Sequence, residues 1–217
     1  DETCATSLAP QAIVTVGLPP MDKAFRAQLT RWNVPHFHIG TEALSWDMFE
    51  TPVNRWKIST KAGLAELMDA APAINAYAQA WSVRKSQLEV ADEASHGNEW
   101  VDYEVYRWLA AQLPAASRIH FANSTSARYA QWFDWQGSTL HANRGVAGID
   151  GCLSTAVGDA LQNPDAQTVL IAGDAAWLYD TNGLHVNPRP KKLKIIVINN
   201  GGGNIFRWLK GPEETGL

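Results

Sequence analysis

Two apolar runs, TVLIA (168–172) and KIIVIN (194–199), constrain this chain most, because neither alternates polar with apolar residues. A strand without a polar face is covered on both sides, as in a parallel sheet flanked by helices. The pattern around them repeats: RIHFAN before STSARYAQWF, TLHA before GIDGCLSTAVGDALQN, QTVLIA before AAWLYDTNGL, and KLKIIVIN before a glycine run and NIFRWL. Earlier, AIVTVG (12–17) is followed by MDKAFRAQLTRW (21–32), where Phe25, Leu29 and Trp32 fall at helical spacing. PHFHIG (35–40) reads as a second strand. An irregular stretch around Pro52 and two helical segments then lead to Gly97. The expected class is α/β, with parallel sheets flanked by helices in two units. The boundary falls at Gly97-Asn98, with Asn98 capping a helix EWVDYEVYRWLAAQL that Pro114 ends. His36 and His38 share a strand face without a cysteine or carboxylate partner, which reads as a surface face rather than a metal pair.

Composition removes several classes of function. The 217 residues suffice for a real core, and a formal net charge of −4 argues against a nucleic-acid partner held by overall charge. The short basic run Arg189-Pro190-Lys191-Lys192 reads as a solvated loop. Two distant cysteines, Cys4 and Cys152, are no disulfide framework and suit a reducing cytoplasm, with Cys152 in a buried apolar role. No apolar run approaches the roughly 18 residues of a membrane span, and no signal peptide is evident. The start without Met and the stop at GPEETGL suggest a piece of a longer polypeptide.

Ligands in parallel α/β sheets sit beyond the carboxyl ends of the strands, and three such ends carry unusual residues. QTVLIA ends in Gly173-Asp174 and KLKIIVIN in Asn199-Asn200-Gly201-Gly202-Gly203; TLHA leads into Asn143-Arg144-Gly145, ahead of Gly148-Ile149-Asp150-Gly151. A carboxylate delivered to a strand end among small residues needs a cation or hydrogen bonds to receive it. Asp174, Asn200 and a backbone carbonyl in the glycine run form a hard-oxygen set suited to Mg²⁺, which completes its octahedron with phosphate and water oxygens. The small residues after Asp174, beginning with Ala175, leave backbone N–H groups free for a phosphate.

Gly-Asp followed some 25 residues later by Asn-Asn resembles the thiamin-diphosphate signature. The fuller motifs NRGVAGIDGCLSTAVG, GDAAWLYDTNGL and NNGGGNIFRWL resemble one branch of that family. That branch is the menaquinone-pathway synthases that make 2-succinyl-5-enolpyruvyl-6-hydroxy-3-cyclohexene-1-carboxylate. The resemblance implies a thiamin-diphosphate-binding fold in which residues 1–96 are part of a central domain. Residues 97–217 would be a diphosphate-binding domain truncated at its C-terminus. It implies Mg²⁺, with Mn²⁺ as the alternative, held by Asp174, Asn200 and the Gly202 carbonyl. Ile149 would support the bent cofactor, or simply pack the helix start. Ile205, Phe206 and Leu209 would line the thiazolium and substrate, or form a core helix face. Arg144 would meet a substrate carboxylate, and Lys23 falls where the family carries a basic substrate contact. Asn123-Ser124 and Arg128 match a loop near the cofactor, although an N-cap role also explains Ser124.

The implied reaction decarboxylates 2-oxoglutarate and adds the resulting carbanion to isochorismate, a transferase activity in a cytoplasmic homo-oligomer, dimer or tetramer. The glutamate such enzymes place at the aminopyrimidine belongs to an N-terminal domain that no segment here resembles, so the isolated piece is expected to be inactive. Two other readings stay open. One is a different thiamin-diphosphate 2-oxo acid decarboxylase or acetolactate-type synthase. The other is a non-catalytic Rossmann-like module, which lacks the expected G-x-G-x-x-G.

Overall fold

Strand and helix alternate along the chain, and the computed structural model describes residues 7–41, 49–70, 75–95, 101–203 and 205. The chain divides into two units, Asp1–Gly97 and Asn98–Leu217. In the first, strands β1 (Ile13–Val16), β2 (His36–Ile39) and β3 (Val53–Trp56) form a parallel sheet in the order β1-β2-β3. Helix α1 (Lys23–Trp32) connects β1 to β2; α2 (Thr60–Ala70) and α3 (Ala76–Ser95) follow β3. Asp22 starts α1 by accepting the Phe25 N–H at 2.7 Å, and Asn33 ends it in the left-handed conformation. Leu29 of α1 meets Ile13 and Phe49 in a small core.

Two expectations for this unit change. The stretch after Pro52 is not irregular: Val53–Trp56 forms β3, too short and too mixed in polarity for its period to be legible. Nor do His36 and His38 form a surface face. His36 is fully buried, and Thr15 Oγ1 on the neighbouring strand lies 2.8 Å from His36 Nε2 and 2.9 Å from His38 Nδ1. A single hydroxyl one strand over therefore contacts one nitrogen of each ring.

The second unit carries helix α4 (Asp102–Gln112), β4 (Arg118–Phe121), the short α5 (Thr125–Tyr129), β5 (Thr139–Ala142), α6 (Cys152–Gln162), β6 (Thr168–Gly173), α7 (Asp174–Tyr179) and β7 (Leu193–Ile198). Its four strands are all parallel, in the order β5-β4-β6-β7. Helix α4 starts later than expected, because Val101 is extended (φ −107°, ψ 164°); Asn98, its expected cap, lies outside the described residues. The central strands are the buried ones: Ile119, Val169, Leu170 and Ile171 are essentially inaccessible. β7, apolar but at the edge of the described sheet, is only partly buried, so the expectation that KIIVIN is covered on both faces does not hold. Small residues of α6, Ala156 and Ala160, are also buried, and Ala156 shares a core with Leu170 and Ala172 of β6. Cys152 is a buried free thiol in that core, and burial pushes its pKa up. Among the described residues, no helix is long and apolar enough to cross a membrane.

Candidate functional site

Strand order selects the place where a ligand fits. From β4 the chain moves outward to β5, then returns across β4 to build β6 and β7 on the other side. The connections leaving β4 and β6 diverge there, and a crevice opens beyond their carboxyl ends. A cleft of about 120 Å³ lies at that point. Its lining brings together Asn123 and Ser124 after β4, Ile149 ahead of α6, Asp174 and Ala175 after β6, and Asn200 and Ile205 after β7. Thr125, Gly173, Ala176 and Gly203 complete it.

Each wall has a local cause. Gly173 of β6 pairs with Ile198 of β7, so Asp174 and the Asn199–Gly203 turn leave neighbouring strands at the same edge. Gly201, Gly202 and Gly203 all have positive φ (87°, 83° and 63°), a run no other residue type sustains without strain. Gly203, rather than Gly202, reaches the cleft lining. Asp174 Oδ1 accepts the Ala175 N–H at 2.7 Å, which orients the carboxylate at the start of α7, so the N–H of Ala175, expected to be free for a phosphate, is already engaged. Asn200 Nδ2 donates to Asp102 Oδ2 at 2.7 Å.

Asn123 organises the opposite wall. It is buried; its Nδ2 donates to the carbonyls of Asn143 (2.6 Å) and Gly148, and its Oδ1 accepts from Arg144 Nη1 at 2.8 Å. One amide thereby ties the loop after β5 to the end of β4 and sets where Ile149 sits. Arg144 therefore has a structural partner that its strand-end position alone did not disclose. Its Nε is buried with no hydrogen-bond partner among the described residues. Burial lowers the Arg144 pKa, and the nearby positive charge of Arg128 lowers it further. Two neighbouring cations, one of them with a buried Nε, favour an incoming anion.

Ser124 is not an N-cap in the usual sense. Its side chain makes no capping hydrogen bond, and its backbone lies at φ 76°, ψ −131°, a region that disfavours side chains. Arg128 Nη1 donates to its carbonyl at 2.8 Å, so the strained peptide at the cleft is held from α5. Lys23 lies in the first unit, as the first residue of α1. Phe206 and Leu209 lie outside the described residues.

A second group of metal-capable side chains sits on β4, β5 and α6. Ligand atoms of His120, His141 and Asp159 lie within 4.8 Å of one another. Its carboxylate is already saturated. Asp159 Oδ1 accepts from Arg118 Nη2 (2.7 Å) and Asn163 Nδ2 (2.9 Å), and Oδ2 accepts from Arg118 Nε (2.7 Å) and His120 Nε2 (2.8 Å). The arginine supplies the positive charge a metal would bring, so this cluster is a structural ion network.

Residue-by-residue reasoning missed Asp102, 98 positions from its partner Asn200, and no local spacing could have signalled it. It also missed the part played by Asp180. That residue accepts the Ser154 N–H at 2.8 Å and the Ser154 hydroxyl at 2.7 Å, capping the first turn of α6. Its place in the DTNGL motif was the available signal.

No protein-family model matches the chain. It is 33% identical over 217 residues to the 2-succinyl-5-enolpyruvyl-6-hydroxy-3-cyclohexene-1-carboxylate synthase of Desulfotalea psychrophila, an alignment covering 99% of this chain and 39% of that protein. The synthase of the same name from Flavobacterium psychrophilum is 31% identical, over 97% of this chain and 38% of that protein. That of Christiangramia forsetii is 41% identical over 115 residues, which is 52% of this chain and 20% of the relative. The chain thus spans about two-fifths of the length of the first two relatives.

Proposed function

We propose, for a chain that belongs to the 2-succinyl-5-enolpyruvyl-6-hydroxy-3-cyclohexene-1-carboxylate synthase family, that its second unit holds the diphosphate end of thiamin diphosphate together with a divalent metal. The observation that carries the reading is the cleft beyond β4, β6 and β7, where Asp174 and Asn200 meet a positive-φ glycine run and Ile149. The donor chemistry fits: a carboxylate, an amide oxygen and backbone carbonyls suit Mg²⁺ or Mn²⁺. Flexible glycine backbone suits close approach of a diphosphate.

In this reading Asp174 and Asn200 are metal ligands through their side-chain oxygens, with a carbonyl from the glycine run, Gly202 or its neighbour, as the third protein donor. Ala175 and the small residues beside it leave room for the diphosphate. Ile149 and Ile205 offer apolar surface to the cofactor. Asn123 and Ser124 support it from the β4 side. When bound, thiamin diphosphate supplies the carbanion stabilisation that 2-oxo acid decarboxylation requires. Arg144 then receives a substrate carboxylate: a guanidinium partly withdrawn from water, whose Nε has no hydrogen-bond partner among the described residues, gains more from such an anion than a fully solvated arginine would.

The whole protein, on this reading, is a cytoplasmic homo-oligomeric transferase that decarboxylates 2-oxoglutarate and adds the product to isochorismate. Phe206 and Lys23 are its further substrate contacts, and Leu209 joins Ile205 in the apolar wall toward the cofactor. The first unit is part of the central domain and the second the diphosphate-binding domain. Residues 1–217 alone hold one end of the cofactor. We expect them to bind it weakly and form no product, which an assay with both substrates checks.

The direct test replaces Asp174 with Ala in the intact protein. Mg²⁺-dependent binding of thiamin diphosphate should be lost while circular dichroism and the thermal midpoint stay close to the parent's. Undiminished cofactor affinity would refute the metal assignment.

A further inference from the structure

The amide of Asn200 is gripped by a residue from the far end of the unit's sequence. Asp102, the first residue of α4, accepts from Asn200 Nδ2 at 2.7 Å. An ionised carboxylate has acceptors only, so the amide atom facing it must be the nitrogen. The oxygen and nitrogen of an asparagine otherwise exchange places by a half-turn of the terminal torsion, at little cost. With the nitrogen committed to Asp102, the amide atom that a hard cation can use is Oδ1. A flipped amide would instead present N–H groups, which a cation rejects.

We propose that Asp102 is a positioning residue for the divalent metal. It fixes the rotamer and polarity of Asn200, so that Oδ1 of the amide is the atom presented at the cleft, where Asn200 forms part of the wall. A carboxylate pulling on Nδ2 also pushes electron density onto Oδ1, which strengthens it as a donor. The inference rests on the reading of Asn200 as a metal ligand. Asp102 itself is not assigned to the metal: Asn200 stands as the connecting residue.

The test titrates Mg²⁺ into the intact protein at fixed thiamin diphosphate and follows binding by calorimetry, with the thermal midpoint of the metal-free protein measured in parallel. Asp102→Ala should raise the Mg²⁺ midpoint roughly 10- to 100-fold, the usual scale for losing a group that orients a metal ligand. Asp102→Asn keeps an acceptor for Nδ2 and should recover most of that loss. In an Asn200→Ala background, Asp102→Ala should change the midpoint no further, because there is no amide left to orient. A Mg²⁺ midpoint for Asp102→Ala within twofold of the parent, or an additive loss in the Asn200→Ala background, would overturn the positioning role. An Asn200→Ala variant with an unchanged midpoint would instead overturn the metal reading itself, and the two failures are thereby told apart.

Discussion

Asp180 caps a helix to which it does not belong: its carboxylate takes both the backbone N–H and the hydroxyl of Ser154, 26 residues earlier, at 2.8 and 2.7 Å. Ser154 is the third residue of α6, so a free N–H and the positive end of the helix both meet the anion. Asp180→Ala should cost about 1–2 kcal/mol, the scale of a lost cap. Denaturant titration checks this, with a lowered midpoint at unchanged slope. Ile149 stands just ahead of the same turn, so cofactor affinity should fall with it.

Gly183 lies against that cap. A Cβ built there would stand 2.7 Å from Ser154 Oγ and 3.0 Å from both Ser154 Cα and N. The hydroxyl can rotate away, but the backbone of α6 cannot, so Gly183→Ala must displace either the helix start or the turn after α7. A loss of about 1–3 kcal/mol is expected, typical of overpacking, and the thermal midpoint reads it. A midpoint equal to the parent's would show that the turn yields freely.

Acidification should destabilise the second unit in two stages. Burial holds the His120 pKa below its ordinary 6.5, so the unfolded chain takes up a proton that the folded one resists. Stability present above pH 6.5 is therefore lost as pH falls toward the folded value. Arg118 holds Asp159 down from 3.8 to about 2. This second contribution is intact above pH 3.8 and is lost as pH falls through about 2. At roughly 1.4 kcal/mol per tenfold change in acidity it amounts to about 2 kcal/mol. Stability measured against pH should show both declines, and Asp159→Asn should remove the lower one.

Arg144→Ala in the intact protein should impair use of a dicarboxylic 2-oxo acid while sparing Mg²⁺-dependent cofactor binding. A charge-assisted contact to a carboxylate is worth about 2–3 kcal/mol, or roughly 30- to 150-fold in kcat/KM. Arg144→Lys keeps the charge but loses the fork that reaches Asn123, and should recover only part of it. A change below threefold in the alanine variant would leave Arg144 with its structural bond to Asn123 alone.

Local pattern along the chain was enough for the class of fold and for the strand ends where chemistry gathers. TVLIA reads as a strand covered on both faces and is one. KIIVIN reads the same way, but β7 lies at the edge of the described sheet and is only partly buried, which its own residues do not disclose. A residue one or two positions past such a strand necessarily lies at its end, which places Asp174 and Asn200 without any knowledge of the fold. β3 was illegible because four residues of mixed polarity carry no period. The contacts those ends make were settled only by the folded arrangement. The order β5-β4-β6-β7 brought Asn123, after β4, across from Asp174, after β6, and side-chain reach joined Arg144 to Asn123, Asp180 to Ser154 and Asp102 to Asn200. Hydrogen bonds of 2.7–2.8 Å depend on where distant segments converge in space. Periodicity and propensity act over a few residues, so they carry no information about partners 21, 26 or 98 positions apart.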